Sequence, residues 1–200
     1  MSNFTVSAPE TSSIAPIEPG TYAAVCTAII DLGEHYNKTY DNYSRKALFQ
    51  WEIPDEQIEI DGEMKPRVIS ETYTASLGEK ANLRKMLESW RGLQFTADEL
   101  AGFDLENVLG VPCMINVIHT ENPNTGKTYA KIAAVTRLPR NFPPVTPSAK
   151  PTIFSLNDGD ALEKIERYPE WIQKRIKESK TYADLESNHF TDISAEDCPF

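Results

Sequence analysis

The sequence predicts a mainly β domain with one helix set between its third and fourth strands. Three observations predict it. Apolar residues recur with a period of two through residues 21–75, the period lengthens to between three and four over residues 76–92, and it returns to two over residues 112–138. A chain of 200 residues with 40% apolar and 25% charged side chains has room for one core of moderate size with appendages.

The first strand, TYAAVCTAIIDL (residues 21–32), is apolar on both alternations, the pattern of a strand covered on both sides. The second, RKALFQWEI (45–53), sends Ala47, Phe49, Trp51 and Ile53 to one face and Lys46, Leu48, Gln50 and Glu52 to the other, which assigns Trp51 to the core. The third, PRVISETYTA (66–75), is rich in β-branched and aromatic residues. In SLGEKANLRKMLESWRG, Leu83, Met86, Leu87 and Trp90 share a helical stripe, Ser76 with Glu79 reads as a capping box, and Gly92 reads as a C-terminal stop. A second capping box, Thr96 with Glu99, marks a short helical turn. PCMINVIHT and KTYAKIAAVTRL are two alternating strands joined by the turn residues ENPNTG. Cys113, Ile115 and Val117 are expected inward on the first of these, and Ala130, Ile132, Ala134 and Leu138 on the second, with Tyr129, Lys131 and Arg137 outside.

Three strands, a helix and two strands over about 120 residues is the element order of the five-stranded oligonucleotide/oligosaccharide-binding (OB) barrel, an order shared with other small α+β folds. The expected architecture is therefore an OB-fold-like barrel over residues 17–138, with flanking segments. Residues 1–16 are Ser, Thr, Pro and small residues and read as a disordered lead-in. Five prolines in residues 139–151 make an extended linker. Residues 152–180 carry helical signals, with Leu162 and Ile165 before Pro169 and Trp171, Ile172 and Ile176 after it. Residues 181–200 contain no Lys or Arg and form an acidic tail.

Composition narrows the function classes. The net charge is −10, divided as −8 over residues 1–64, +2 over 65–142 and −4 over 143–200. An anionic chain is no general glove for nucleic acid, so any phosphate-binding surface must be local. No stretch approaches the roughly 18 apolar residues of a membrane span, and no signal-peptide pattern opens the chain, so a cytoplasmic protein with no membrane contact is expected. Cys26, Cys113 and Cys198 are odd in number and lack companion ligands, which argues for a reducing compartment and against a disulfide framework or zinc site; Cys26 and Cys113 lie in apolar runs and are expected in the core.

The candidate binding residues cluster in the connection between the first two strands, GEHYNKTYDNYSRK. There Tyr36, Tyr40 and Tyr43 interleave with Lys38, Arg45 and Lys46, an alternation of rings and cations suited to unpaired bases on a phosphate backbone. The loops after strands one and four flank the binding face of an OB barrel, and the second of them brings Lys127 and Tyr129. Lys131 and Arg137 extend the track by alternation, and Arg67 and Tyr73 share a face of the third strand. Much of the acidic excess lies in EIPDEQIEIDGE (52–63), at the opposite end of the meander. The competing reading of that excess is an acidic protein-binding module, a host-factor inhibitor or DNA mimic, without nucleic-acid affinity.

Enzyme readings fail on spacing. TGKT (125–128) lacks the glycine that a phosphate-binding loop needs at position 121, where Glu121 stands. His35, His119 and His189 are dispersed, and no nucleophile, base and acid set can be singled out. The sequence therefore predicts no catalytic residues, no metal and no cofactor.

Two resemblances sharpen the expectation. The last residues, DISAEDCPF, resemble the C-terminal tip of bacterial single-stranded DNA-binding proteins, which end in an acidic run, a hydrophobic residue, Pro and Phe. The resemblance implies a docking peptide for replication and recombination proteins such as a polymerase, helicase, nuclease or recombinase. Phe200 would be the anchor, Pro199 its neighbour, and Glu196 and Asp197 the steering charges, with Asp192 in the same partner-binding tail. Cys198 departs from the aliphatic residue usual at that position. The stretches EPGTYAAVCTAIIDLG, LRKMLESWRG and GKTYAKIAAVTRLP are similar to phage-encoded single-stranded DNA-binding proteins, which implies a role in coating single-stranded DNA in the host cytoplasm.

Overall fold

The computed structural model describes residues 15–123, 125–143 and 145–187. Its frame is a six-stranded sheet. Strands β1 (Gly20–Asn37), β2 (Asn42–Ile60), β3 (Glu63–Thr74), β4 (Pro112–Glu121) and β5 (Thr128–Arg137) lie in the order β3-β2-β1-β4-β5, every neighbouring pair antiparallel. β3 and β5 end the path and, among the described residues, form no ladder with each other, so the sheet is not closed into the expected barrel. The sixth strand, β6 (Thr152–Phe154), pairs in parallel with Ala28–Ile30 of β1, on a stretch beyond the Gly20–Val25 segment that β4 occupies.

β1 is apolar on both alternations because two cores use it. Ala24, Cys26 and Ile29 join Ala47, Phe49, Trp51 and Ile53 of β2 in a core closed by α1 (Asn82–Arg91), through Leu83, Met86, Leu87 and Trp90. Ala28, Ile30 and Leu32 join Leu48 in a second core with Phe154, Leu156 and residues of α3 (Ala161–Ile165) and α4 (Glu170–Lys177). The C-terminal helices are thus docked on the sheet. Phe49 and Trp51 stack at 5.6 Å, and Trp51 meets Trp90 at 6.0 Å, so aromatic contact fastens helix to sheet. Cys26 and Cys113 sit in this core, and burial pushes the Cys26 thiol up to about 12, which leaves it inert at neutral pH.

Several local expectations are corrected. The connection between the first two strands is a tight turn at residues 38–41, because β1 runs on to Asn37 and β2 starts at Asn42. The acidic connection 52–63 is mostly strand as well: β2 and β3 continue as a paired arm to a turn at Asp61 and Gly62, both at positive φ. α1 starts at Asn82 rather than after Ser76. Its N-cap is Ala81, and the Ser76 hydroxyl instead accepts a hydrogen bond from the Gly78 amide. The Thr96–Glu99 capping box does form, at the start of α2 (Ala97–Ala101). On β5 the inward residues are Ile132 and Val135, because a bulge beside Asn116/Val117 advances the register by one residue. Ala134 is therefore exposed, and Ala130 and Leu138 are half-buried.

Two contacts anchor the C-terminal segment. Glu52, only 5% exposed, accepts hydrogen bonds from the Ser148 amide (3.0 Å) and hydroxyl (2.5 Å), holding the proline-rich run against β2. Gly33 sits at a bulge of β1 with φ of +77°, and a Cβ there would lie 2.7 Å from the Ser179 Cβ, with the Ser179 hydroxyl closer still. Next to it the Glu34 amide donates to the Thr181 hydroxyl at 3.0 Å. Gly33→Ala should destabilise the protein by about 1–3 kcal/mol through left-handed strain and the lost close approach. In calorimetry that is a melting temperature lower by several degrees, and an unchanged transition would contradict this packing.

Candidate nucleic-acid interface

The hairpin tip, strands β2, β3 and β5, and α1 border an open groove of about 1270 Å³. Lys46 and Tyr40 reach it from the hairpin, Glu71, Thr72, Tyr73 and Thr74 from β3, and Lys131 through Val135 from β5. α1 contributes Asn82, Lys85 and Ser89, which share a polar face adjoining its buried stripe of Leu83, Met86, Leu87 and Trp90, of which Met86 also borders the groove. Lys80 and Glu79 precede the helix, and Arg175 arrives from α4.

Five cations against two carboxylates make this groove net positive in a chain of net charge −10. Lys80, Lys85, Lys131 and Arg175 have no carboxylate within ion-pair distance among the described residues, and Lys46 donates to the Thr74 hydroxyl at 2.7 Å. The cations are therefore available to an incoming anion. The acidic arm does not cancel them: the span from Lys46 to Asp55 is about 30 Å at ~3.3 Å per strand residue, several times the Debye length of about 8 Å at physiological salt.

The residues expected from sequence divide into three groups. Tyr40, Lys46, Tyr73 and Lys131 line the groove. Tyr40 is 74% exposed, whereas Tyr73 is half-buried, stacked edge-on against Phe49 at 5.6 Å, and its hydroxyl pKa is driven upward by burial. Tyr36 and Tyr43 lie outside the lining, opposite each other in the β1–β2 ladder with ring centroids 5.5 Å apart. The Tyr36 hydroxyl donates to Asp41. Lys38 is exposed in the adjoining turn.

The remaining five stand elsewhere. Arg45 is held by Asp31 and by Asn157 at 3.0 Å, and this partner, with amide donors from Gly33 and Leu156, keeps the Asp31 carboxyl below its ordinary range despite burial. Arg67 bonds the Ala15 carbonyl at 2.5 Å, beside Tyr22 and far along β3. Lys127 and Tyr129 are exposed on the β4–β5 hairpin, and Arg137 packs over Gly92 at the end of α1; none of the three lines the groove. The tail residues Asp192, Glu196, Asp197, Pro199 and Phe200 lie outside the described residues.

Sequence reading missed Lys80, Lys85 and Arg175. The stripe of Asn82, Lys85 and Ser89 was present as a polar helical face, but the buried stripe beside it drew the reading of that helix. Arg175 reaches the groove only because α4 docks on the second core, which no local pattern encodes.

Glu71 is, with Glu79, one of the groove's two carboxylates. Burial raises its pKa above the ordinary carboxylate value, and Lys131 partly offsets the shift. A raised folded-state pKa means the fold disfavours the ionised form, so stability falls as pH climbs from the unfolded pKa through the folded one. Glu71→Gln should remove that slope, raise stability at neutral pH, and strengthen anion binding in the groove. Melting curves across pH 4–7 check the first two effects, and an oligonucleotide titration checks the third. Searches against protein-family models and against curated proteins give no match for this chain.

Proposed function

We propose that this protein binds single-stranded DNA, coats it transiently without covalent chemistry, and recruits replication or recombination proteins through its C-terminal tip, as a phage-encoded single-stranded DNA-binding protein would. The observation that carries the reading is the local reversal of charge: a groove with five cations and the exposed Tyr40 ring, in an anionic molecule. Rings that stack on any base, together with lysines that track phosphates, bind single strands with little regard to sequence. The strand order β3-β2-β1-β4-β5, with α1 between β3 and β4, supports an OB-fold-like reading in which the edges β3 and β5 flank a partly open barrel. Lys46, Lys80, Lys85, Lys131 and Arg175 contact phosphates, and Tyr40 carries a base.

Fluorescence titration with oligo-dT at two salt concentrations tests the reading. Binding should weaken with salt, and Lys46, Lys85 and Lys131 changed together to Ala should flatten the slope of log K against log salt by about 2, at ~0.7 per phosphate contact. Tyr40→Ala should cost about 1–3 kcal/mol. Removing residues 192–200 should leave DNA affinity intact or higher while ending partner recruitment; weaker DNA binding after the truncation would contradict a docking role for the tip. One observation favours a second reading. The acidic β2–β3 arm, with Asp55, Glu56, Glu59, Asp61 and Glu63, suits a protein-binding module, which requires no oligo-dT binding at either salt.

A further inference from the structure

We infer that a bound single strand continues out of the groove past the β1–β2 hairpin tip and is held there by the C-terminal helical segment, where Tyr36, Tyr43 and Lys180 form a second platform for base and phosphate. This rests on the single-strand reading of the groove. Tyr36 and Tyr43 are 51% and 52% exposed and form a ring pair outside the groove lining. The Asp41 carboxylate is engaged by the Tyr36 hydroxyl, which holds that ring in place. Lys180 Nζ stands 5.3 Å from the Tyr43 ring centre, and it too has no carboxylate within ion-pair distance among the described residues. A cation beside a half-open aromatic pair repeats the chemistry of the groove at a separate place.

The two places are joined by one stretch of chain. Arg175 lines the groove and Lys180 stands over the Tyr43 ring, and both belong to the segment fixed on β1 by Ser179 against Gly33 and by Thr181 on the Glu34 amide. The β1–β2 turn presents Tyr40, the most exposed of the three tyrosines, which itself lines the groove and lies between Tyr36 and Tyr43 in the chain. Rings and cations thus border the groove, where Tyr40 stands, and recur at the tyrosine pair of the same hairpin. The helical segment that sequence suggests is an appendage supplies cations at both ends of this path. A strand long enough to follow it gains contacts that a short one cannot reach.

The test uses the full chain with Lys180→Ala and, to keep the aliphatic stem, Lys180→Gln. Oligo-dT of about 6 and about 16 nucleotides samples the range of ~4–16 that one OB-type domain occupies. For the longer oligonucleotide, affinity should fall about three- to five-fold and the salt slope should flatten by about 0.7, while the shorter one binds as it does to the unmodified chain. Equal loss at both lengths would overturn the path, since Lys180 would then act on the groove or the fold. Unmodified chain and variants binding both lengths alike would overturn the extension alone. Failure of the unmodified chain to bind either length would overturn the single-strand reading and the extension with it.

Discussion

Everything in this molecule depends on β1 being buried from both sides. A strand whose odd and even side chains both need cover must recruit a layer on each face. Here α1 covers Ala24, Cys26 and Ile29 together with the aromatic row of β2, and the C-terminal helices cover Ala28, Ile30 and Leu32. The consequence is positional. The first layer brings Lys85 to the groove, the second brings Arg175 to the same groove and Lys180 to the Tyr43 ring, and the β1–β2 turn adds Tyr40 to the groove.

Electrostatics follows from that geometry. A chain with ten more acids than bases keeps a positive surface where most of its acids lie beyond the screening distance from the clustered cations. Strands of 18 and 19 residues do this mechanically, by carrying the acidic arm away from the groove. Pairing does the rest. Arg45, Arg84, Arg91 and Lys164 are committed to nearby acids, and among the described residues the groove cations other than Lys46 have no carboxylate within ion-pair distance. Surface pairs of this kind contribute little stability, so their main effect is to decide which cations remain free.

Much of the fold was legible because it is written in local periodicity. The double-faced pattern of residues 21–32, the core position of Trp51, the stripe of Leu83, Met86, Leu87 and Trp90, and the Thr96–Glu99 box all depend on near neighbours in the chain. What local pattern misjudged was decided at longer range. Alternation on β5 fails at a bulge that only pairing with β4 defines, and Ser76 with Glu79 has the spacing of a cap whereas the chain turns helical later, at Asn82. The site was half legible for the same reason. The hairpin tyrosines and Lys46 are adjacent in sequence, but Arg45 is claimed by Asp31 and Asn157, and Arg175 comes to the groove from more than a hundred residues away.

The Glu52–Ser148 contact also shortens the tether on the C-terminal unit. Only residues 149–151 separate Ser148 from β6, so once the serine is latched the parallel strand and the helices behind it are tethered within a few residues of their seat. A tether that short gives its own segment a high effective concentration at β1 compared with the same segment from another molecule. A unit tethered through a buried carboxylate in this way is less open to domain exchange than one carried on the full length of the proline-rich connector.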